Sequence, residues 1–93
     1  IENIHGSNIE AFYRIADQRV EALQFVVEQD ARICGVPLMD LPIRKNVLVA
    51  AIVRGEEVLF PGGADRIQTG DHVIITTSHT GFKDIDDILE TRR

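Results

Sequence analysis

The sequence predicts an α+β domain: a small, mostly antiparallel β-sheet with a short helix after its second strand and a covering helix at its C-terminal end. Three observations predict it. Residues 46–77 hold three short apolar stretches broken by Gly-rich turn clusters. Residues 9–28 hold two more extended runs. Phe82, Ile85, Ile88 and Leu89 recur at the spacing of one helical face. The expected order is strand, strand, short helix, three strands, helix. A chain of 93 residues makes one domain with a modest core, so extra burial through dimerisation would help it.

Residues 1–8 are polar, with Gly6, Ser7 and Asn8 in a row, and read as a linker or chain edge. The domain is expected over residues 9–93. From Ile9 to Ile15 side chains alternate, with apolar character on both faces, which fits a strand. Asp17-Gln18 then centres a tight hairpin into a second strand over residues 20–28, although the Gly that such turns prefer is missing. A helix is the rival over residues 9–24, where Ile9, Phe12, Tyr13 and Ala16 fit a helical stripe. The β-prone run Leu23-Gln24-Phe25-Val26-Val27 favours the hairpin.

Residues 35–41 read as a short helical turn. Pro37 suits its first turn, Leu38 and Leu41 face inward together, and Pro42 blocks continuation. Met39 is read as core filler. Residues 47–53 are apolar at every position, which predicts a strand covered on both sides. Arg54-Gly55-Glu56-Glu57 turns into Val58-Leu59-Phe60, and Pro61-Gly62-Gly63-Ala64-Asp65 ends that strand. Thr69-Gly70-Asp71 leads into the strand from His72 to Thr77. For the final helix, residues 82–90, Thr80 is the expected N-cap. Asp84 near its start and Arg92 and Arg93 near its end follow the order that a helix dipole favours.

Fifteen acidic against ten basic residues give a net charge of −5, which argues against nucleic acid as a partner. No apolar run approaches the roughly eighteen residues that span a bilayer. The N-terminus has neither the basic region nor the apolar stretch of a signal peptide, and the missing initiator Met suggests a piece of a longer chain. One cysteine cannot form an internal disulfide, which fits a reducing cytoplasm.

Gly62-Gly63 lacks the Lys and Ser or Thr of a phosphate loop, so these glycines are read as turn formers of positive φ. His5, His72 and His79 have no metal-like spacing, and His72 reads as a strand-surface residue beside Thr76. Cys34 reads as a buried structural thiol, and Ser78-His79 is no triad because neighbours on a strand point oppositely. Asp84, Asp86, Asp87 and Glu90 read as a solvated helix face, since a calcium loop needs a Gly and a terminal Glu that are absent. No convergent acid, base and nucleophile emerges, so no enzyme is expected and no metal. Arg44 and Lys45 beside Asn46 stand at the entrance to the most apolar strand. Two cations and an amide there suit a small anion; a plain solvated loop is the competing reading.

Several stretches, taken together, carry a resemblance: Gly35-Val36-Pro37-Leu38-Met39-Asp40-Leu41, Ala51-Ile52-Val53-Arg54, Phe60-Pro61, Asp65-Arg66-Ile67 and Gly70-Asp71-His72-Val73-Ile74-Ile75-Thr76. In this order they resemble the TrkA C-terminal domain, the second half of the module that regulates potassium conductance. The segment from Ser7 to Ile15 resembles the lead into it. The resemblance implies an α+β fold, a homodimer, and a cytoplasmic place peripheral to the inner face of the cell membrane. It implies a regulatory domain that gates potassium uptake through a translocating membrane subunit of the TrkH/TrkG/KtrB kind. It also implies that NAD(H) or ATP binds only a preceding half, with no cofactor in this stretch except a possible cyclic di-AMP or other small anionic ligand. By resemblance that ligand falls to Arg44 and Asn46, with a shorter loop between them than in cyclic di-AMP binders. The alternative is the same domain in another transporter, a sodium/sulfate or aspartate-exchange permease.

Overall fold

Five strands organise the residues that the computed structural model describes, 9–29 and 31–90. They are β1 (Ile9–Ile15), β2 (Val20–Val26), β3 (Val47–Arg54), β4 (Glu57–Leu59) and β5 (His72–Thr77). They form one sheet in the order β1-β2-β5-β3-β4, with every neighbouring pair antiparallel. The hairpin reading of the first two strands holds. Its loop runs through Ala16, Asp17 and Gln18, all in left-handed backbone with φ of 56°, 58° and 67° and no glycine. The linker reading of residues 1–8, His5 and the Arg92–Arg93 cations lie outside the described residues.

Strand alternation gives the sheet two unlike faces. On the inner face Leu23 and Phe25 oppose Ile75 and Val73, which in turn oppose Val49 and Ile52. The register shifts between Val49 and Ala51, so Ala50 is an extra residue that lets Ile52 return to the inner face. These side chains pack on Ile33, Ile67, Phe82, Ile85, Ile88 and Leu89 from the connecting segments. The core therefore lies between one sheet and a layer of irregular chain.

That second layer corrects the expected fold class: among the described residues there is no α-helix, only two 3₁₀ turns. The expected helix after the second strand is a turn over Leu38–Asp40. Its flanking amides bond instead to a distant segment: Gly35 N to Ile67 O at 2.9 Å, Leu38 N to Asp65 O at 3.0 Å and Met39 N to Gly63 O at 3.0 Å. Leu38 and Leu41 do pack on the core, but Met39 is 68% exposed and fills nothing.

The expected C-terminal helix is a turn over Ile85–Ile88. Its cap is Asp84, not Thr80: the Asp84 carboxylate accepts from Asp86 N, and the Asp87 carboxylate accepts from Lys83 N and Asp84 N. Aspartates favour such local caps over a helix interior. Beyond the turn Leu89 is extended, and Arg44 N donates to Ile88 O and Glu90 N to Pro42 O, both at 2.8 Å. The backbone that would continue the helix is spent on pairing with residues 42–44. Phe82, Ile85, Ile88 and Leu89 are nonetheless all buried, so the stripe marks core but not helix. The structure is of one chain and gives the dimeric part of the expectation no support of its own.

The outer face is open. Leu48 is 62% exposed, so β3 is covered on one side here and not on both. Among the described residues no helix is long and apolar enough to cross a membrane.

Candidate functional site

Arg44, Lys45 and Asn46 lie where the chain leaves the 3₁₀ layer and enters β3. Arg44 is half-buried. Its Nε donates to Asp87 O at 2.9 Å, and its guanidinium carbon lies 5.9 Å from the centre of the Phe82 ring. The other side of that environment is His79, stacked on Phe82 with centroids 5.7 Å apart. An His79 Nε2 to Lys45 O contact of 2.8 Å closes the cluster. Asn46 is exposed, in left-handed backbone with φ 63°, a conformation that Asn tolerates better than most residues. It lines a shallow depression of about 340 Å³ with Val20, Leu48, Thr76 and Ser78. Arg44 is not among the residues of that depression, so in one chain the two predicted ligand residues face different surroundings.

The most ordered polar arrangement lies at the opposite end of β3. Arg54 Nε donates to Asp71 Oδ1 at 2.9 Å, and Arg54 Nη2 donates to Asp71 Oδ2 at 2.8 Å and to Arg66 O at 3.0 Å. Gln68 N donates to Asp71 Oδ2 at 2.9 Å. Asp71 is 1% exposed. Burial pushes its carboxyl up, but the hydrogen bonds from Arg54 and Gln68 outweigh this and hold it below the usual carboxylate range. The same pairing, chiefly through its hydrogen bonds, raises the Arg54 guanidinium above its ordinary value. Asp71 O also accepts from Val27 N, and Gly70, at φ 91°, donates to Val27 O. The Asp71 carboxylate thus ties the β3 end to the β5 entry, and the backbone of Gly70 and Asp71 ties that entry to the β2 end. Sequence reading placed Arg54 in a hairpin turn and Asp71 in a bend and missed their partnership. The signal was present as an apolar strand that ends on a lone Arg and a Gly-Asp turn before the next strand.

A smaller staple sits on the outer face. His72 Nδ1 lies 2.7 Å from Glu10 Oε1, which also accepts from Gln24 Nε2 at 2.9 Å, linking β5, β1 and β2. Burial pushes the Glu10 carboxyl up, and the bonds from Gln24 and His72 outweigh it, so it lies below its ordinary value.

The other candidates resolve structurally. Cys34 is half-buried, with Sγ 3.8 Å from Thr69 Oγ1. Gly62 and Gly63 do not take positive φ; a Cβ at Gly63 would lie 3.1 Å from Met39 Cβ, tighter than an ordinary contact. Asp86 is no solvated side chain: its carboxylate accepts from Arg32 N at 2.9 Å and Ile33 N at 3.2 Å. Among the described residues no group of three His, Cys, Asp or Glu could hold a metal ion.

The arrangement is thus a structural lock at one end of β3 and a cation-bearing entry at the other. The sequence profile of the TrkA-C domain matches residues 22–90. A Trk system potassium uptake protein TrkA homolog 1 from Methanosarcina mazei is 27% identical over 81 residues, covering 87% of this chain and 18% of the relative. A Trk system potassium uptake protein TrkA homolog from Archaeoglobus fulgidus is 32% identical over 75 residues, covering 81% and 17%. A Trk system potassium uptake protein TrkA from Halomonas elongata is 29% identical over 68 residues, covering 73% and 15%. The chain spans less than a fifth of the length of these relatives. The profile match takes in β3, β4, β5, both 3₁₀ turns, most of β2 and the Arg54–Asp71 lock, and on it this chain belongs to the TrkA-C domain family.

Proposed function

We propose that this chain is the regulatory, ligand-sensing and dimer-forming part of a Trk- or Ktr-type potassium uptake protein. It acts at the cytoplasmic face of the membrane and biases transport by a potassium-translocating membrane subunit, without catalysing a reaction itself. The observation that carries this reading is the TrkA-C match over residues 22–90. The relatives named above are all potassium uptake proteins, which favours potassium over the sulfate or aspartate alternative. NAD(H) or ATP is assigned to the remainder of the longer protein.

The signal is a small anionic ligand, with cyclic di-AMP as the leading candidate, held by Arg44 and Asn46 of two copies. A two-fold axis brings two Arg44 side chains to one symmetric dianion. The grip of Arg44 on Asp87 O supports a way to transmit it. An anion that draws Arg44 away releases one contact of the Ile85–Ile88 turn, and a ligand that binds one of two arrangements better shifts the balance between them. Sedimentation velocity of the 93-residue chain at tens of micromolar tests the assembly. A dimer is expected; a strict monomer over that range would refute it.

A further inference from the structure

The inner face of the sheet keeps an opening at its β4 margin. Ile52 of β3 opposes Leu59 of β4. Between this pair and the segment from Pro61 to Gln68 lies a cavity of about 360 Å³. One wall is apolar: Leu59, Pro61 and Phe60, which is 80% exposed. The other wall carries Arg54, Asp65, Arg66 and Gln68. Two of these hold opposite charges that do not meet. The Arg66 guanidinium has no hydrogen-bond or ion-pair partner among the described residues; only the Arg66 backbone is engaged, its oxygen by Arg54. The Asp65 carboxylate accepts from Gly62 N at 2.7 Å and forms no salt bridge among the described residues. Arg54 commits Nε and Nη2 to Asp71 and Arg66 O, which leaves the two N–H groups of Nη1 to donate elsewhere.

We propose that this cavity binds a free α-amino acid with an apolar or aromatic side chain. Its carboxylate meets Arg66 and Arg54 Nη1, its ammonium meets Asp65, and its side chain covers Phe60. A cation and an anion that line one cavity without pairing are both satisfied by a zwitterion. Charge disfavours a phosphate or nucleotide. Asp71 already balances Arg54, so Arg66 and Asp65 leave the lining near neutral, and a dianion gains little there. The volume lies at the lower end of the roughly 300–1,000 Å³ usual for small-molecule sites. A peptide added along the sheet edge would need more than β4 offers: three residues, with Pro61 soon after and no N–H on it. The cavity lies on the inner side of the sheet, away from Asn46 and Leu48, so the proposal does not depend on the anion site or the dimer above.

L-Phenylalanine, 3-phenylpropionate and phenethylamine share one aromatic body and differ in charge. Amide NMR spectra of the 93-residue chain titrated with each compound test the site. L-Phenylalanine is expected to move the Phe60, Arg66 and Gln68 signals along a saturating curve within tens of millimolar and to leave Asn46 unmoved. Each of the other two compounds lacks one charge and is expected to bind about tenfold more weakly. Arg66→Gln should weaken L-phenylalanine about tenfold. It keeps the lock, which uses the Arg66 oxygen and not its side chain. Asp65→Asn, which still offers Gly62 N an acceptor, should weaken L-phenylalanine but not 3-phenylpropionate. No saturable shift with L-phenylalanine, equal binding of the three compounds, or undiminished binding to folded Arg66→Gln or Asp65→Asn would overturn the proposal.

Discussion

Asp71 concentrates the polar energetics of the domain in one side chain. It is buried, accepts two bonds from Arg54 and one from a backbone amide, and its loss leaves a guanidinium without its partner. Breaking a buried pair costs about 3–5 kcal/mol. The Arg54 side chain is one-third exposed, so solvent screens part of this and the lower end applies. Asp71→Asn is expected to lower unfolding free energy by about 3 kcal/mol in urea titrations, a large part of the ~5–15 kcal/mol typical of a domain. The pH dependence follows from the depressed carboxyls of Asp71 and Glu10. As pH falls to about 4 the unfolded chain takes up protons first, so their stabilisation is present above that range and lost below it. Urea midpoints should hold from neutral pH to about pH 5 and fall below pH 4, and Asp71→Asn should flatten that fall. Both residues of the lock stand in legible motifs, Ile-Val-Arg and Gly-Asp. Their pairing was not legible, because seventeen positions separate them and only the β3–β5 register brings them together.

Elements were read well where periodicity and turn chemistry agreed. Whereas β1 and β2 were read from β-propensity against a rival helix, strands β3, β4 and β5 are of this kind, including the two-residue loop at Gly55 with φ 63°. The two helices were not, because apolar residues three apart suit a 3₁₀ turn as well as an α-helix. What decides between them is long-range: the amides of Arg32 and Ile33 cap on Asp86, some fifty residues away. Asp86→Ala removes both acceptors and should cost about 1–3 kcal/mol, read as a lower melting temperature. An α-helix over residues 82–90 would lose far less, since its exposed acids would carry no such bonds. At the turn before β5, Gly70 sits at φ 91° with open space around it, so only backbone strain opposes a side chain. Gly70→Ala should cost roughly 1–2 kcal/mol in the same assay.

For the whole molecule, the proposed working surface joins two copies of a sheet-based module. The candidate ligand residues show why sequence could suggest that surface only in part. Arg44-Lys45-Asn46 is legible as a cationic entry to a strand, yet Arg44 folds inward over Phe82 while Asn46 turns outward. The proposed site takes these residues from two copies. Thermal melting of wild type and Arg44→Ala with rising cyclic di-AMP tests the proposed ligand site. A ligand bound only by the folded protein at a hundred times its dissociation constant adds about 2.7 kcal/mol. A rise of several degrees is expected in wild type and none in Arg44→Ala. No rise in wild type at high ligand concentration would contradict it.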